Sequence, residues 1–535
     1  MDDTHSPPTA PQPACCTVRS ASFKLAALLV AGAAVVAASG FLMIHFRRPP
    51  ADPGKNRAAN PDEAEQLKAG TLLFHHWPKP EVALVLSAQQ YGYLLPCGCS
   101  RPQKGGLERR YNFIQSLQER GWPVVAVDLG DIPQRYAPQK LPNIQGLLKY
   151  EYSMRALKEM GYSAVNFGET EMAMPLEKAL GQYALNNPVP RVLADNLKDA
   201  ADKFPETGRW MVVQPEGSPL KVGIAGVVGP TVRGKVSDPS IRFLEVKDVL
   251  PKVLKDMEKE KPALRVLLYQ GMPKEAKACA EAFPQFQVVL SLSEPGDEEP
   301  PNEPQRVGPS LVIVVGHKGR YVGVVGANRR PDRSFDLRYQ LVPMSEQFVT
   351  PREKEKNHPI LALLEKYTEE LKRDGYLQKY GQTRHPVQVQ FPQATYVGSE
   401  ACQKCHEAAY QVWKNSRHAH AYQTLVDARN PSLRQYDAEC VVCHVTGFAH
   451  QGGFRSEEQT PTLKNVGCES CHGPASLHVG DPKNLAFRAA LNPWKAQPGE
   501  DETRRIGRID QACQKCHDPD NDVHWSFDKW KAIAH

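Results

Sequence analysis

"VGCESCHGPASLH", residues 466–478, sets Cys468, Cys471 and His472 within five positions and a second imidazole, His478, six residues further on. Zinc and haem iron both accept such donors. Spacing, repetition and compartment must decide between them.

The same C-x-x-C-H spacing occurs four times, at Cys402/Cys405/His406, Cys440/Cys443/His444, Cys468/Cys471/His472 and Cys513/Cys516/His517. On a helical turn, residues at i+3 and i+4 share a face with residue i, so two thiols and an imidazole address one flat ligand. That suits a porphyrin held by two thioether bonds with a histidine nitrogen on its iron. Four C-x-x-C pairs would also make two Cys₄ zinc sites. Zinc gives no reason for a histidine directly after every second cysteine, so the repeat predicts four covalently bound c-type haems.

Ten of the 17 histidines and eight of the 13 cysteines lie after residue 400, which marks residues 395–535 as a separate, mainly α, haem-packed module. A segment this short has difficulty burying enough apolar surface by itself, so the macrocycles are expected to form most of its core. No methionine follows Met344, which excludes His/Met ligation from within the module and predicts comparatively low potentials. Once His406, His444, His472 and His517 are assigned as proximal ligands, His418, His420, His450, His478, His524 and His535 remain for the distal sides.

Before this module, Val-rich runs such as "VALVLSA", "PVVAVDLGD" and "KVGIAGVVG" alternate with amphipathic stretches. They predict an α/β layered domain over residues 81–350. Residues 351–394 carry helical periodicity and are expected to connect the two parts. Twenty uncharged residues, Leu25 to Ile44, match a ~30 Å hydrocarbon layer at ~1.5 Å per residue and predict one transmembrane helix. Residues 1–24 would then be cytoplasmic and 45–80 a flexible linker. Arg47, Arg48, Lys55 and Arg57 after the span argue for the opposite orientation. Covalent haem attachment outside the cytoplasmic membrane outweighs them and places the large domain in the periplasm. The net charge of +6 is small against 66 basic and 60 acidic side chains and argues against a nucleic-acid partner.

"YVGSEACQKCHEAAYQVWKNSRHAHAYQTL", "CVVCHVTGF", "VGCESCHGPASLH" and the last "CQKCH" together resemble the tetrahaem cytochrome c-554 family and related multihaem cytochromes over residues 396–535. The resemblance implies that the histidines of S-x-H-A and C-H-G-P-x-x-x-H, here His418 and His478, are distal ligands to other haems. It also implies one haem without a distal ligand.

The α/β domain resembles the metallophosphatase domain of nucleotidases in "GGLERR", "VDLGD", "AVNFGETE" and "KVGIAGVVG", taken in order. Carried over by position, the D-x-H ligands become Gln89 and Tyr91, and G-N-H-E becomes Gly168, Glu169, Thr170 and Glu171. Gln270 stands where a histidine is expected, and Asp131 alone keeps its chemistry. One carboxylate, even beside Glu169, does not hold two divalent ions. The domain is therefore expected to be a degenerate relative without phosphoesterase activity. Cys97 and Cys99 in "LLPCGCSRPQKGG" sit among Arg101, Lys104, Arg109 and Arg110, which favour thiolate. They read either as a redox pair, a soft-metal ligand set or a sulfur-carrying site, or equally as a strained local disulfide.

These readings make electron transfer the leading expectation, with other redox proteins as partners, either cytochromes or membrane quinol-linked complexes. One alternative is a haem oxidoreductase acting on a small nitrogen or sulfur compound at a five-coordinate haem. The other is a metal-dependent phosphoesterase carrying a haem module.

Overall fold

Why the Val-rich runs form a sandwich is visible in their burial. In the computed structural model, which describes residues 73–97, 101–135, 137–173, 190–198, 207–236, 238–294, 299–522 and 524–528, Val82–Ser87 and Val222–Val228 are buried at every position. The expected membrane span, Cys99 and His535 lie outside these residues. Among the described residues, no helix is long and apolar enough to cross a membrane.

One six-stranded sheet runs, edge to edge, Phe335–Pro343, Tyr321–Arg329, Val82–Ser87, Val124–Asp128, Tyr162–Asn166 and Arg191–Leu193. The four strands from Val82–Ser87 onward in that order pair in parallel, and the hairpin at the other edge pairs antiparallel. The second sheet runs Gln305–Val307, Ser310–Val314, Val288–Ser291, Leu264–Gln270, Val222–Val228 and Met211–Val213.

Strand side chains alternate between faces, and the second sheet uses both. Val222, Ile224, Val266, Leu268 and Leu290 join the first sheet in one core cluster, while Ala225, Val227, Leu267 and Val289 pack with the helices Val246–Met257 and Pro273–Ala282. Asn166 ties the sheets together, donating to Val227 O at 3.0 Å and Leu268 O at 2.9 Å. The mixed α/β class expected from the sequence is thus present, with a helical region after it.

Two boundaries fall differently from the sequence reading. Phe74 and Trp77, in the stretch read as linker, stack edge-on at 5.0 Å, and Phe74 meets Trp122 at 5.0 Å, so apolar packing begins before residue 81. The helix Pro359–Arg373, expected to connect, buries Ile360, Leu361, Leu364, Tyr367 and Leu371 in the α/β core. Its Tyr367 packs edge-on against Tyr152 of the helix Gly146–Glu159 at 5.5 Å.

The C-terminal region is built from short helices. One apolar cluster there joins Tyr380, Tyr422, Val441, Val442, Phe448 and Phe454 to Ala137 and Leu141 of the α/β domain. The expectation of a core made mostly by macrocycles therefore needs amending around the second C-x-x-C-H, where side chains form their own core. Near the fourth, the amphipathic helix Glu502–Cys513 buries no residue.

Candidate functional site

Three of the four motifs lie on or end helical turns: Ala438–His444 and Cys468–His472 contain theirs, and Glu502–Cys513 ends on the first cysteine of its own. The remaining one begins on Glu400–Gln403, and its histidine precedes Glu407–Lys414. Cys405, expected on a helical turn as one of the haem-attaching thiols, departs from that reading. The helix stops at Gln403, so Cys405 sits in the turn between two helices, its N donating to Cys402 O at 3.3 Å, and it is exposed. Cys471 is also exposed, whereas Cys402, Cys440, Cys443, Cys468, Cys513 and Cys516 are half-buried.

Where the helix stops short of the histidine, an i to i+4 bond still closes the turn: His406 N donates to Cys402 O at 2.9 Å and His517 N to Cys513 O at 3.0 Å. This brings the first thiol and the imidazole to one side, as the spacing argument requires.

The motifs meet one another out of chain order. The Cys402 thiol lies close enough to Cys468, and the Cys443 thiol to Cys516, for each to perturb the other's protonation. The first motif therefore meets the third, and the second meets the fourth. Among the described residues, no group of three or more His, Cys, Asp or Glu side chains is placed to hold a metal ion. The thiols meet in pairs rather than in the quartets of a structural zinc site.

The imidazoles pair across motifs. His478 faces His406 with ring centroids 6.2 Å apart, and His418 faces His517 at 5.9 Å. Two imidazoles sharing one metal through bonds of about 2 Å each place their centroids about 6 Å apart. The donor set therefore fits an iron between each pair. His444 Nδ1 donates to Ala421 O at 2.7 Å, His472 Nδ1 to Leu491 O at 2.7 Å, and His517 Nδ1 to Asp522 Oδ2 at 2.9 Å. Tying Nδ1 in this way fixes the tautomer and leaves Nε2 with its lone pair free to accept a metal. Burial holds His444 and His478 below the ordinary imidazole pKa, which favours the neutral form that binds metal.

The other histidines take different roles. No second imidazole packs against the His444 ring among the described residues. His450 meets His385 edge-on at 4.9 Å, and burial, with His450 and Lys515 nearby, pushes His385 down to about 4. His385 was given no role by its sequence spacing; its Nδ1 caps Pro386–Gln390 by accepting from Val387 N at 3.2 Å. His524 Nε2 donates to Arg101 O at 2.8 Å.

The α/β domain grips the second and fourth motifs directly. Gln145 donates to Asp437 Oδ1 at 2.9 Å and accepts from Ala438 N at 3.2 Å, while Gln134 donates to Glu439 Oε1 at 2.7 Å. Lys149 forms an ion pair with Glu439, their side chains 10% and 11% exposed. Burial alone would depress Lys149, but Glu439 and Asp437 outweigh it and hold the ammonium charged. Gln139 Nε2 lies 2.8 Å from Cys516 Sγ and 3.3 Å from Cys443 Sγ. Beyond the fourth motif, Asp520 is clamped by Lys318 and Arg320.

The centre aligned with metallophosphatase ligands is filled by hydrogen bonds. Asp131 Oδ2 accepts from Gln270 Nε2 at 2.7 Å, and Oδ1 accepts from Thr170 N at 2.8 Å. Gln89 is spent on Tyr91 OH at 2.7 Å and Ser293 N at 2.8 Å. Glu169, read as a neighbour of Asp131, instead pairs with Lys235 at 2.7 Å and Arg135 at 3.7 Å.

The carboxylate that does enter this centre is Glu171, which the alignment places at the end of G-N-H-E without assigning it a role. It accepts from Asp131 N at 3.0 Å, Ile132 N at 2.9 Å and Gly168 N at 3.0 Å. Its spacing of three from Gly168, the capping-box interval, was the available signal. Burial, then Asp131, pushes Glu171 up to about 8. A Cβ on Gly168 would lie 2.5 Å from Asp131 N, so no larger residue fits the cradle. Cys97 lies in the two-residue strand Pro96–Cys97, paired with Lys104–Gly105.

Residues 401–473 match the model of the family described as cytochrome c554 and c-prime. Over 151 residues the chain is 33% identical to cytochrome c-554 of Nitrosomonas europaea, an alignment covering 26% of this chain and 62% of that protein. The chain thus spans under two thirds of that relative's length. Among solved structures, it is similar to a 5'-nucleotidase precursor from Thermus thermophilus, with TM-score 0.44, 16% identity and 59% of this chain and 61% of that one covered. It is also similar to the Thermus thermophilus sulfate thiohydrolase SoxB, with TM-score 0.45, 15% identity and coverage of 55% and 61%. The C-terminal region is cytochrome c-554-like, and that likeness implies covalently bound c-type haem.

Proposed function

We propose that this chain is an extracytoplasmic electron-transfer protein that holds four c-type haems, is anchored to the cytoplasmic membrane through Leu25–Ile44, and exchanges electrons with other redox proteins. Covalent haem supplies one-electron chemistry when bound. The eight motif cysteines would attach it, the exposed Cys405 among them, and His406, His444, His472 and His517 would ligate iron from below. His478 and His418 would supply a second imidazole to the irons held by His406 and His517. The observation carrying this reading is the pairing of these imidazoles at 6.2 and 5.9 Å together with the contact of every motif with a neighbour.

The α/β domain serves here as a non-catalytic support. Its amides and Lys149 hold the helix of the second motif, and its former ligand positions are consumed by internal hydrogen bonds. Cys97 and Cys99, which the sequence sets among Arg101, Lys104, Arg109 and Arg110, are read as a redox pair.

A second reading, reduction or oxidation of a small nitrogen or sulfur compound, is favoured by one observation: among the described residues no imidazole faces His444. A reduced haemochrome spectrum of the purified full-length chain, with haem counted per chain and ferric spin state recorded, tests both. Four haems support the first reading, and zinc in place of haem overturns it. A high-spin ferric component that binds small ligands brings in the second; wholly low-spin iron removes it.

A further inference from the structure

Three motif histidines donate from Nδ1, but not to equal acceptors. His444 and His472 each meet a neutral peptide carbonyl at 2.7 Å, whereas His517 meets the carboxylate of Asp522 at 2.9 Å. A full negative charge accepts more strongly than a carbonyl, draws the Nδ1 proton toward itself and makes the ring a better electron donor through Nε2.

Asp522 is built to stay in place. Its amide donates to Asp518 O at 2.8 Å, and its Oδ1 accepts from His524 N at 3.3 Å. Trp525 stacks on the His517 ring at 4.4 Å and 21°, and its Nε1 donates to Asp510 Oδ1 at 2.7 Å. The imidazole plane is thus held by a stack on one side and by a charged acceptor at its edge. The Asp522 and His517 side chains are 21% and 31% exposed, so water screens the contact only in part.

We propose that Asp522 is a positioning residue that sets the potential of the iron held by His517, lowering it below the value the same site would have with a neutral acceptor. The inference rests on the haem reading above. A more donating ligand and an adjacent negative charge both favour the oxidised, more positive metal, so both lower the potential. An imidazole that donates to a peptide carbonyl, as His444 does, keeps a higher value. The lowered site lies where the segment after the fourth motif is clamped to the α/β domain through Asp520, Lys318 and Arg320.

The test is a potentiometric titration of the full-length holoprotein, followed by electron paramagnetic resonance, in wild type, Asp522→Asn, Asp522→Glu and Asp522→Ser. Asparagine keeps an acceptor without charge. We expect about a tenfold gain in the reduction equilibrium of one haem, about 59 mV for one electron, with the other midpoints moving far less. Glutamate should return that midpoint toward wild type. Four haems with unmoved midpoints, or an equal shift of all four, overturns the inference alone. If both neutral variants purify with three haems, Asp522 serves attachment rather than potential and the inference also fails. Fewer than four haems in wild type would instead overturn the reading on which it rests.

Discussion

Replacing Lys149 by methionine tests whether the α/β domain and the haem-motif region are one structural unit. Among the described residues, its ammonium is the only cation paired with Glu439, and Asp437 lies close enough to add to the attraction. Methionine fills similar space, so the loss is electrostatic. Glu439 then keeps only the Gln134 amide at 2.7 Å, and Asp437 keeps Gln145 at 2.9 Å. Removing one partner of a buried ion pair leaves an uncompensated charge and costs about 3–5 kcal/mol. Replacing both partners by apolar residues of similar size is often neutral, so Lys149→Met/Glu439→Met should regain most of the loss.

Urea unfolding followed at both tryptophan fluorescence and haem absorbance would read this. In wild type the two signals should change together, and in Lys149→Met the haem signal should change at lower urea. A loss below about 1 kcal/mol in the single variant, or a double variant no better than the single, would refute the reasoning.

Three more outcomes follow from the same geometry. His478→Ala should convert one low-spin ferric haem to high spin by exposing the iron opposite His406, without lowering the haem count; an unchanged low-spin spectrum would contradict that pairing. Cys443→Ala with Cys440→Ala should remove one haem per chain and weaken the interface with Gln139, read by haemochrome and by the urea midpoint. Glu171 binds its proton more tightly folded, at about 8, than unfolded, near 4.5. Its contribution is therefore complete below about pH 4.5 and is lost as pH rises through about 8, a change on the order of 5 kcal/mol at most, and less where Asp131 shares the charge. Unfolding free energies at pH 5 and pH 8.5 should differ in that direction, and Glu171→Gln should flatten the difference.

The repeated C-x-x-C-H was legible because its signal is local: two thiols and an imidazole within a few residues need no distant partner to be recognised. Its local form was less uniform than its spacing, since the helix around Cys402 ends before Cys405 while those around Cys440 and Cys468 run through to the histidine. The strand runs were legible for a similar reason, since "VALVLS" and "VGIAGVV" carry their burial in composition. What pairs with what was not legible. That His418 meets His517 and His478 meets His406, and that the first motif meets the third and the second the fourth, depends on chain separations of up to about a hundred residues with no periodic trace. The docking of Lys149, Gln145 and Gln139 was hidden for another reason. Each is an ordinary polar residue on or near a helix, and only the opposing Asp437, Glu439 and Cys516 give it meaning. The role of Glu171 was not legible because the motif alignment gives its position but not the three amides that its carboxylate caps.

The account rests most directly on covalent attachment. Intact-mass measurement of the full-length chain after denaturation and chelator treatment should give the polypeptide plus four haem groups, retained because thioether bonds survive both. A mass equal to the bare polypeptide, with metal released as zinc, would contradict it.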